Sequence, residues 1–145
     1  MATQSHLLEL WTARKTSRRG FYRLREPRLQ EFESRGPRIG HPSNYAAVHF
    51  QCEPHDALAF ESVARWPADL TPPYCAEVER AIVEAIIDRL MGEFNPHRGC
   101  RLILADIRWH PVSSSEAAFY RATVEAMRQL VAPADWTLTS NHALP

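Results

Sequence analysis

A change of hydrophobic period near residue 113 constrains the fold of this chain more than any other feature. Residues 102–109 are apolar with only two charged interruptions, which is the pattern of a strand with one covered face. Ser113 is followed three positions later by Glu116, the spacing of a capping box at the start of a helix. Apolar side chains then recur at helical spacing as far as Val131. The pattern predicts a strand that leads almost directly into a helix.

Four further segments show regular patterns. Residues 45–53 alternate apolar and polar side chains, which predicts a half-buried strand, and residues 58–63 are expected to pair with it through a short turn. Residues 20–24 are a candidate edge strand. A threonine and two prolines announce a helix over residues 74–91. From residue 45 on, the order strand, strand, helix, strand, helix predicts an α+β fold, a two-layer sandwich whose mixed β-sheet carries both helices on one face.

The length of 145 residues suits one domain. Residues 26–44 are rich in proline, glycine, serine and charge, so they are expected to form a long loop. We therefore interpret residues 1–43 as a basic, partly irregular arm with a short helix over residues 6–14. The core is predicted to span residues 44–132, and residues 133–145 are interpreted as an irregular tail.

Charge is unevenly distributed, although the net charge is zero. Residues 1–40 hold nine basic and four acidic side chains, so this segment carries +5 and the remainder −5. In the arm, Arg14, Lys15, Arg18 and Arg19 are candidate contacts to phosphate. The alternative is a solvated arm without a partner.

The sequence lacks the common catalytic motifs. It contains neither a G-x-x-x-x-G-K-[ST] phosphate loop nor a G-x-S-x-G elbow. Seven histidines and three cysteines include no C-x-x-C or H-E-x-x-H pair, so we expect no metal site and no disulfide framework. Asp106 and His110 would stand about 13 Å apart on a strand, too far to pair directly. We expect no enzyme activity, no catalytic residue and no cofactor, and catalysis is the least favoured alternative.

The sequence shows neither a transmembrane segment nor the pattern of a signal peptide. No apolar run has the length needed to cross a bilayer, so we expect no membrane partner. Residues 1–10 lack the charged-then-apolar pattern of a signal peptide. A cytoplasmic protein is the expectation.

Residues 108–111 join the predicted strand to the predicted helix and are expected at an exposed end of the sheet. Trp109 and His110 offer flat surfaces and Arg108 offers a guanidinium, the groups with which proteins often hold single-stranded RNA. The residues alone leave an alternative open, a plain connection with Trp109 packed in the core.

Residues 102–119 resemble, without a gap, the signature stretch of the fourth domain of elongation factor G, and the same stretch is similar to the tip of the tetracycline ribosomal-protection proteins. Nine positions carry the residue usual in the elongation factor: Leu104, Asp106, His110, Val112, Ser114, Ser115, Glu116, Ala118 and Phe119. Upstream, residues 44–54 resemble the first strand of that domain. The likeness covers residues 44–131.

The resemblance implies a ribosomal-protein-like fold with a left-handed β-α-β crossover and a tip that reaches the decoding centre of the small ribosomal subunit. It implies a ribosome- or RNA-binding site at this tip: Asn44, Tyr45, Arg108, Trp109, His110, Pro111 and Ser113. The sequence has no counterpart of the family's GTPase domain. We therefore expect a translation-related, ribosomal-protection-like module without GTPase activity, which binds the ribosome, RNA or a GTPase partner and does not bind DNA. The alternative is a protein-interaction module on the same fold, in which Trp66, Trp136 and the N-terminal segment form a homodimer or a partner contact.

Overall fold

The computed structural model describes residues 20–34, 45–92, 95–111, 114–133 and 135–139. The helix predicted over residues 6–14 lies outside them. The described ranges form six strands and two helices. In chain order these are β1 (Phe21–Leu24), β2 (Arg28–Ser34), β3 (Ala46–Pro54), β4 (Ala59–Ser62), α1 (Pro72–Leu90), β5 (Cys100–Arg108), α2 (Glu116–Val131) and β6 (Trp136–Thr139).

The main sheet has the order β2-β3-β5-β4 and is mixed. β3 runs antiparallel to β2 and β5, while β4 runs parallel to β5 and is joined to it through α1. The inward residues of these strands and the apolar stripes of both helices form one buried cluster. The other face of the sheet carries charged and polar side chains, several of them exposed. The predicted α+β, two-layer sandwich is confirmed.

β2 corrects the prediction of a long loop over residues 26–44. Its inward positions include Arg28 and Gln30, which are polar, so the period of two is hidden in the sequence. The structure satisfies both: Arg28 Nη1 donates to the Leu130 carbonyl at 3.0 Å, and Gln30 Nε2 donates to Gln129 Oε1 at 3.1 Å. A strand forms here because α2 supplies hydrogen-bond partners from about 100 positions further along the chain.

β4 is a strand as predicted, but its predicted pairing with β3 is wrong. It pairs in parallel with β5, so that Phe60 lies opposite Leu102. β5 is the more apolar strand and takes a partner on each side, which places β4 at the edge of the sheet. A short turn in the sequence therefore does not produce a hairpin in this chain.

β6 corrects the prediction of an irregular tail for residues 136–139. It pairs antiparallel with β1 in a separate two-stranded sheet. Trp136 packs against the core, and its Nε1 donates to the Leu130 carbonyl at 3.1 Å. The predicted edge strand at residues 20–24 is confirmed as β1, with β6 as its partner.

A β-bulge near the end of β5 decides which way its last residues face. Phe50 lies opposite Leu104 while His49 lies opposite Asp106, so Ala105 is an extra residue on β5. Before the bulge the even-numbered residues Leu102 and Leu104 face the core, whereas after it the odd-numbered Ile107 does. The change of phase turns Arg108 to the outer face of the sheet and directs the following residue toward the helices.

Candidate functional site

Antiparallel pairing of β3 and β5 brings the predicted tip together. Ala47 lies opposite Arg108, so Tyr45 and residues 108–111 meet at one end of the sheet. This end holds five of the seven predicted tip residues. The other two, Asn44 and Ser113, lie outside the described residues, as do the arm residues Arg14, Lys15, Arg18 and Arg19.

Ser114 ties the two sides of the tip together. Its Oγ donates to the Tyr45 carbonyl at 2.9 Å and accepts from the His110 amide at 2.8 Å. Its own amide donates to the His110 carbonyl at 3.0 Å. One side chain therefore links the start of β3 to the connection that follows β5.

The helix start corrects the predicted capping box. The N-cap of α2 is Ser115, whose Oγ accepts from the Ala118 amide at 3.1 Å, and Glu116 is the first helical residue rather than the third. Residues 113–115 are all serine, so the sequence alone could not show which of them is the N-cap. Ser114, which the capping pattern ignored, instead makes the bond to Tyr45.

The outer surface of the tip presents two rings and one guanidinium. The rings of Tyr45 and His110 meet edge to face, with centroids 6.1 Å apart and an interplanar angle of 62°. His110 and Pro111 lie on this surface, and the Arg108 side chain is 67% exposed. A flat aromatic surface beside a cation is suited to an unpaired base and its phosphate.

Trp109 faces the opposite way, into the molecule. It stacks on Phe119 with centroids 5.5 Å apart, and it meets Trp66 and Tyr74 in edge-to-face arrangements with centroids 6.1 and 5.9 Å apart. Burial, followed by the negative charge of Glu116, raises the pKa of Tyr74. Trp109 is thus part of an aromatic cluster beneath the tip, and the packed alternative describes it better than a contact role.

Glu79 anchors this aromatic cluster and was not singled out from the sequence. The residue is 4% exposed, and its Oε2 accepts from Trp66 Nε1 at 2.8 Å and from Ser62 Oγ at 2.7 Å. The sequence did indicate that Glu79 is buried, because it lies one position after Val78 and three before Ile82, within the apolar stripe of α1. A carboxylate on a buried stripe requires donors from another element.

A groove on the outer face of the sheet adjoins the tip. It has a volume of about 350 Å³ and is lined by Glu31, Phe32, Glu33, His49 and Arg108; we call it the outer groove. His49 Nδ1 lies 2.9 Å from Glu31 Oε2, while Glu33 Oε2 accepts from the Tyr45 hydroxyl at 3.0 Å and lies 4.0 Å from Arg108 Nη1. Sequence reasoning missed the groove because three of its five residues belong to β2.

Within the part of the chain that the structure describes, three further features bear on function: the metal-ligating side chains, the acidic residue Asp106 and the length of the helices. No group of three or more histidine, cysteine or acidic side chains there is arranged to hold a metal ion. Asp106 Oδ1 accepts from the neighbouring Ile107 amide at 2.9 Å. Neither of the two described helices has the length and apolarity needed to cross a membrane.

Comparison with known proteins shows a likeness of fold. No family model matches the chain, and no curated protein is significantly similar to it in sequence. Among solved structures, it is similar to ttk003000868 from Thermus thermophilus, with a TM-score of 0.60 and 22% identity. The likeness covers 86% of this chain but only 18% of that protein, and at this identity it shows the fold alone. The same fold therefore occurs there as one part of a much longer chain.

Proposed function

We propose that this protein is a ribosome- or RNA-binding module that resembles the fourth domain of elongation factor G and of the tetracycline ribosomal-protection proteins, and that it acts without GTPase activity. The observation that carries the proposal is the Ser114 bridge. By bonding to the backbone of both Tyr45 and His110, this serine ties together the two chain segments that carry these rings, at the end of the sheet where Arg108 also lies. Preorganised side chains lose less entropy when they bind.

The chemistry of the tip supports an RNA ligand. Arg108 supplies a fork that fits phosphate, and the faces of Tyr45 and His110 supply stacking surfaces for bases. In the sequence, residues 35–44 follow β2 and include two further arginines, Arg35 and Arg38. The segment between β2 and β3 is therefore basic in sequence, with no acidic residue, although the net charge of the chain is zero.

The architecture supports the same proposal. A two-layer α+β fold is what the resemblance to the elongation factor implies, and the similar Thermus thermophilus protein carries this fold within a much longer chain.

Ribosome co-sedimentation tests the proposal. We expect the purified protein to pellet with ribosomes at about 50 mM salt and to be released at about 200 mM, because phosphate contacts weaken steeply with salt. Arg108→Ala should weaken binding about fivefold and reduce the salt slope by roughly one. Arg25→Ala removes another exposed arginine, from the opposite end of the molecule, and should leave binding unchanged. If the wild type and both variants bind equally, the tip is not the binding site. If the wild type does not bind ribosomes at the lower salt concentration, the proposed function is wrong.

The alternative, a dimerisation or partner-binding module, has less support. Trp66 and Trp136 pack against the core instead of forming a surface. Two of the exposed apolar side chains in the described residues are Leu29 on β2 and Val63 just after β4, at opposite edges of the sheet. They do not form one continuous patch. A dimer in light scattering, with no RNA binding, would favour this alternative.

A further inference from the structure

β2 is an edge strand of the main sheet. It pairs with β3 on one side, and no strand in the described part of the chain lies on its other side, which we call the β2 edge. In an antiparallel ladder, alternate residues of a strand direct their main-chain N–H and C=O groups to opposite sides, so about half of the residues of β2 direct these groups to the β2 edge. A row of this kind is a template for an added strand.

The outward side chains of β2 determine which strand the β2 edge suits. Leu29 is 79% exposed and the Glu31 side chain is 73% exposed, both on the outer face of the sheet. Their neighbours Arg28 and Gln30 point inward and make hydrogen bonds to α2. Because side chains alternate between the two faces of a strand, an added strand would place its own outward side chains beside Leu29 and Glu31.

A second copy of this chain does not suit the β2 edge. Pairing of β2 with β2 of a second copy over its full length, in either direction, brings two copies of Glu31 side by side. Like charges beside one another on neighbouring strands are destabilising, whereas opposite charges and apolar pairs contribute favourably. The edge therefore suits a different sequence, with a cation beside Glu31 and an apolar side chain beside Leu29.

We propose that the β2 edge binds an extended, basic segment of a partner protein by strand addition. Main-chain hydrogen bonds supply most of the affinity in this mode of binding, and side chains at alternate positions supply the specificity. Leu29 and Glu31 then select an apolar and a basic residue two positions apart. A continuous apolar patch is not required, because the backbone of β2 carries the contact.

The preference depends on the charge of Glu31 and not on a vacant lone pair. Nδ1 of His49 already lies 2.9 Å from Glu31 Oε2, and the side chain still keeps most of its surface in solvent. The inference goes beyond the proposed function and does not rest on it. β2 lies outside the stretch that resembles the elongation factor, and the ligand is a protein segment instead of RNA.

Isothermal titration calorimetry on the full chain tests the inference with two peptides. The lysine peptide, Thr-Thr-Thr-Lys-Thr-Val-Thr, carries its lysine and valine on one face of an extended strand, and the glutamate peptide has glutamate in place of the lysine. We expect the lysine peptide to bind about fivefold more tightly than the glutamate peptide. Equal affinities, or no binding of the lysine peptide, overturn the inference. A wild-type dimer that the lysine peptide dissociates also overturns it, because the β2 edge then belongs to a second copy.

Methylation of the peptide backbone tests strand addition itself. In an added strand, one set of alternate amides donates to β2 and the other set points away. Two versions of the lysine peptide carry N-methyl groups on one set or on the other, and we expect only one of them to lose affinity, by about tenfold. Hydrogen exchange should slow in β2 and not in β4 when the unmethylated peptide binds. Equal affinities of the two methylated peptides contradict strand addition.

Glu31→Lys tests the residue that sets the preference. The charge reversal leaves the backbone of β2 unchanged, so we expect the variant to bind the glutamate peptide about fivefold more tightly than the lysine peptide. Glu61→Lys is the matched control, since Glu61 lies on the same face of the sheet on β4, the other edge strand. Three strand spacings of about 4.8 Å exceed the Debye length of about 8 Å at roughly 0.15 M salt, so this control should keep the wild-type preference. A preference that persists in Glu31→Lys, or one that reverses equally in Glu61→Lys, contradicts the assignment to Glu31.

Discussion

The indole of Trp109 lies nearly parallel to the ring of Phe119, with an interplanar angle of 15°. This contact joins the residue just after β5 to the first turn of α2. Trp66 and Tyr74 meet the same indole in edge-to-face arrangements, so the connection from β4 to α1 and the start of α1 contact it as well. The exposed residues of the tip therefore stand on a packed aromatic base.

Replacing Trp109 by alanine should lower the free energy of unfolding by about 3 kcal/mol, because a large, partly buried ring is lost together with its aromatic contacts. Urea denaturation followed by circular dichroism measures this change. Trp109→Phe keeps a ring over Phe119 and should lose only about 1 kcal/mol. A change near zero in the alanine variant would contradict the packing role and return Trp109 to the surface contacts.

Glu79→Ala should destabilise the protein by about 2 to 3 kcal/mol, because it leaves the Trp66 indole N–H and the Ser62 hydroxyl without their acceptor in a buried site. Thermal and urea unfolding measure the loss. Glu79→Gln retains one oxygen and should cost less than the alanine variant. An alanine variant as stable as the wild type would show that these two bonds contribute nothing net.

Ser114→Ala should lower stability by about 1 to 2 kcal/mol and weaken RNA binding about threefold, because it removes both bonds that hold Tyr45 and His110 together. Unfolding and anisotropy are measured on the same preparation. Ser115→Ala is the matched control: it removes the N-cap of α2 at a cost of about 1 kcal/mol but keeps the bridge. If binding is weakened only in Ser115→Ala, the hydrogen bonds of Ser114 do not organise the tip for binding.

Alkaline pH should destabilise the fold through its buried thiols. Burial raises the pKa of Cys52 from 9.0 to about 12, and burial raises the pKa of Cys100 as well. Above about pH 9 the unfolded chain loses these protons before the folded chain does, so stability is fully present below that pH and falls as the pH rises toward about 12. Between about pH 9.5 and 10.5, the raised pKa of Cys52 should lower the free energy of unfolding by about 1 kcal/mol.

Urea denaturation at about pH 8, 9.5 and 10.5 measures this loss. Cys52→Ala should be less stable at the lowest of these values, because a buried side chain is truncated, but its stability should decline less steeply with pH. Parallel declines in the two proteins would argue against the raised pKa of Cys52.

Local patterns predicted much of this fold. The alternation in β3 and the helical stripes of α1 and α2 report burial directly, because each element has one apolar face. β2 was missed because Arg28 and Gln30 face inward and find their partners on α2. Such partners are distant in sequence, and no local window contains them. The same reason hid the outer groove, which needs β2, β3 and β5 side by side.

The sequence by itself determined the two-layer α+β class, since strand and helix periods follow from residue spacing. That Tyr45 and His110 lie near one another was expected only from the resemblance to elongation factor G, because residue spacing does not tell which strands pair. Only the tertiary structure decided which residues face the solvent at the tip. The extra residue Ala105 shifts the phase of β5, so Arg108 turns outward and Trp109 turns toward Phe119. A bulge forms where two strands must match twist and packing at once, and that requirement arises only when the whole sheet is assembled.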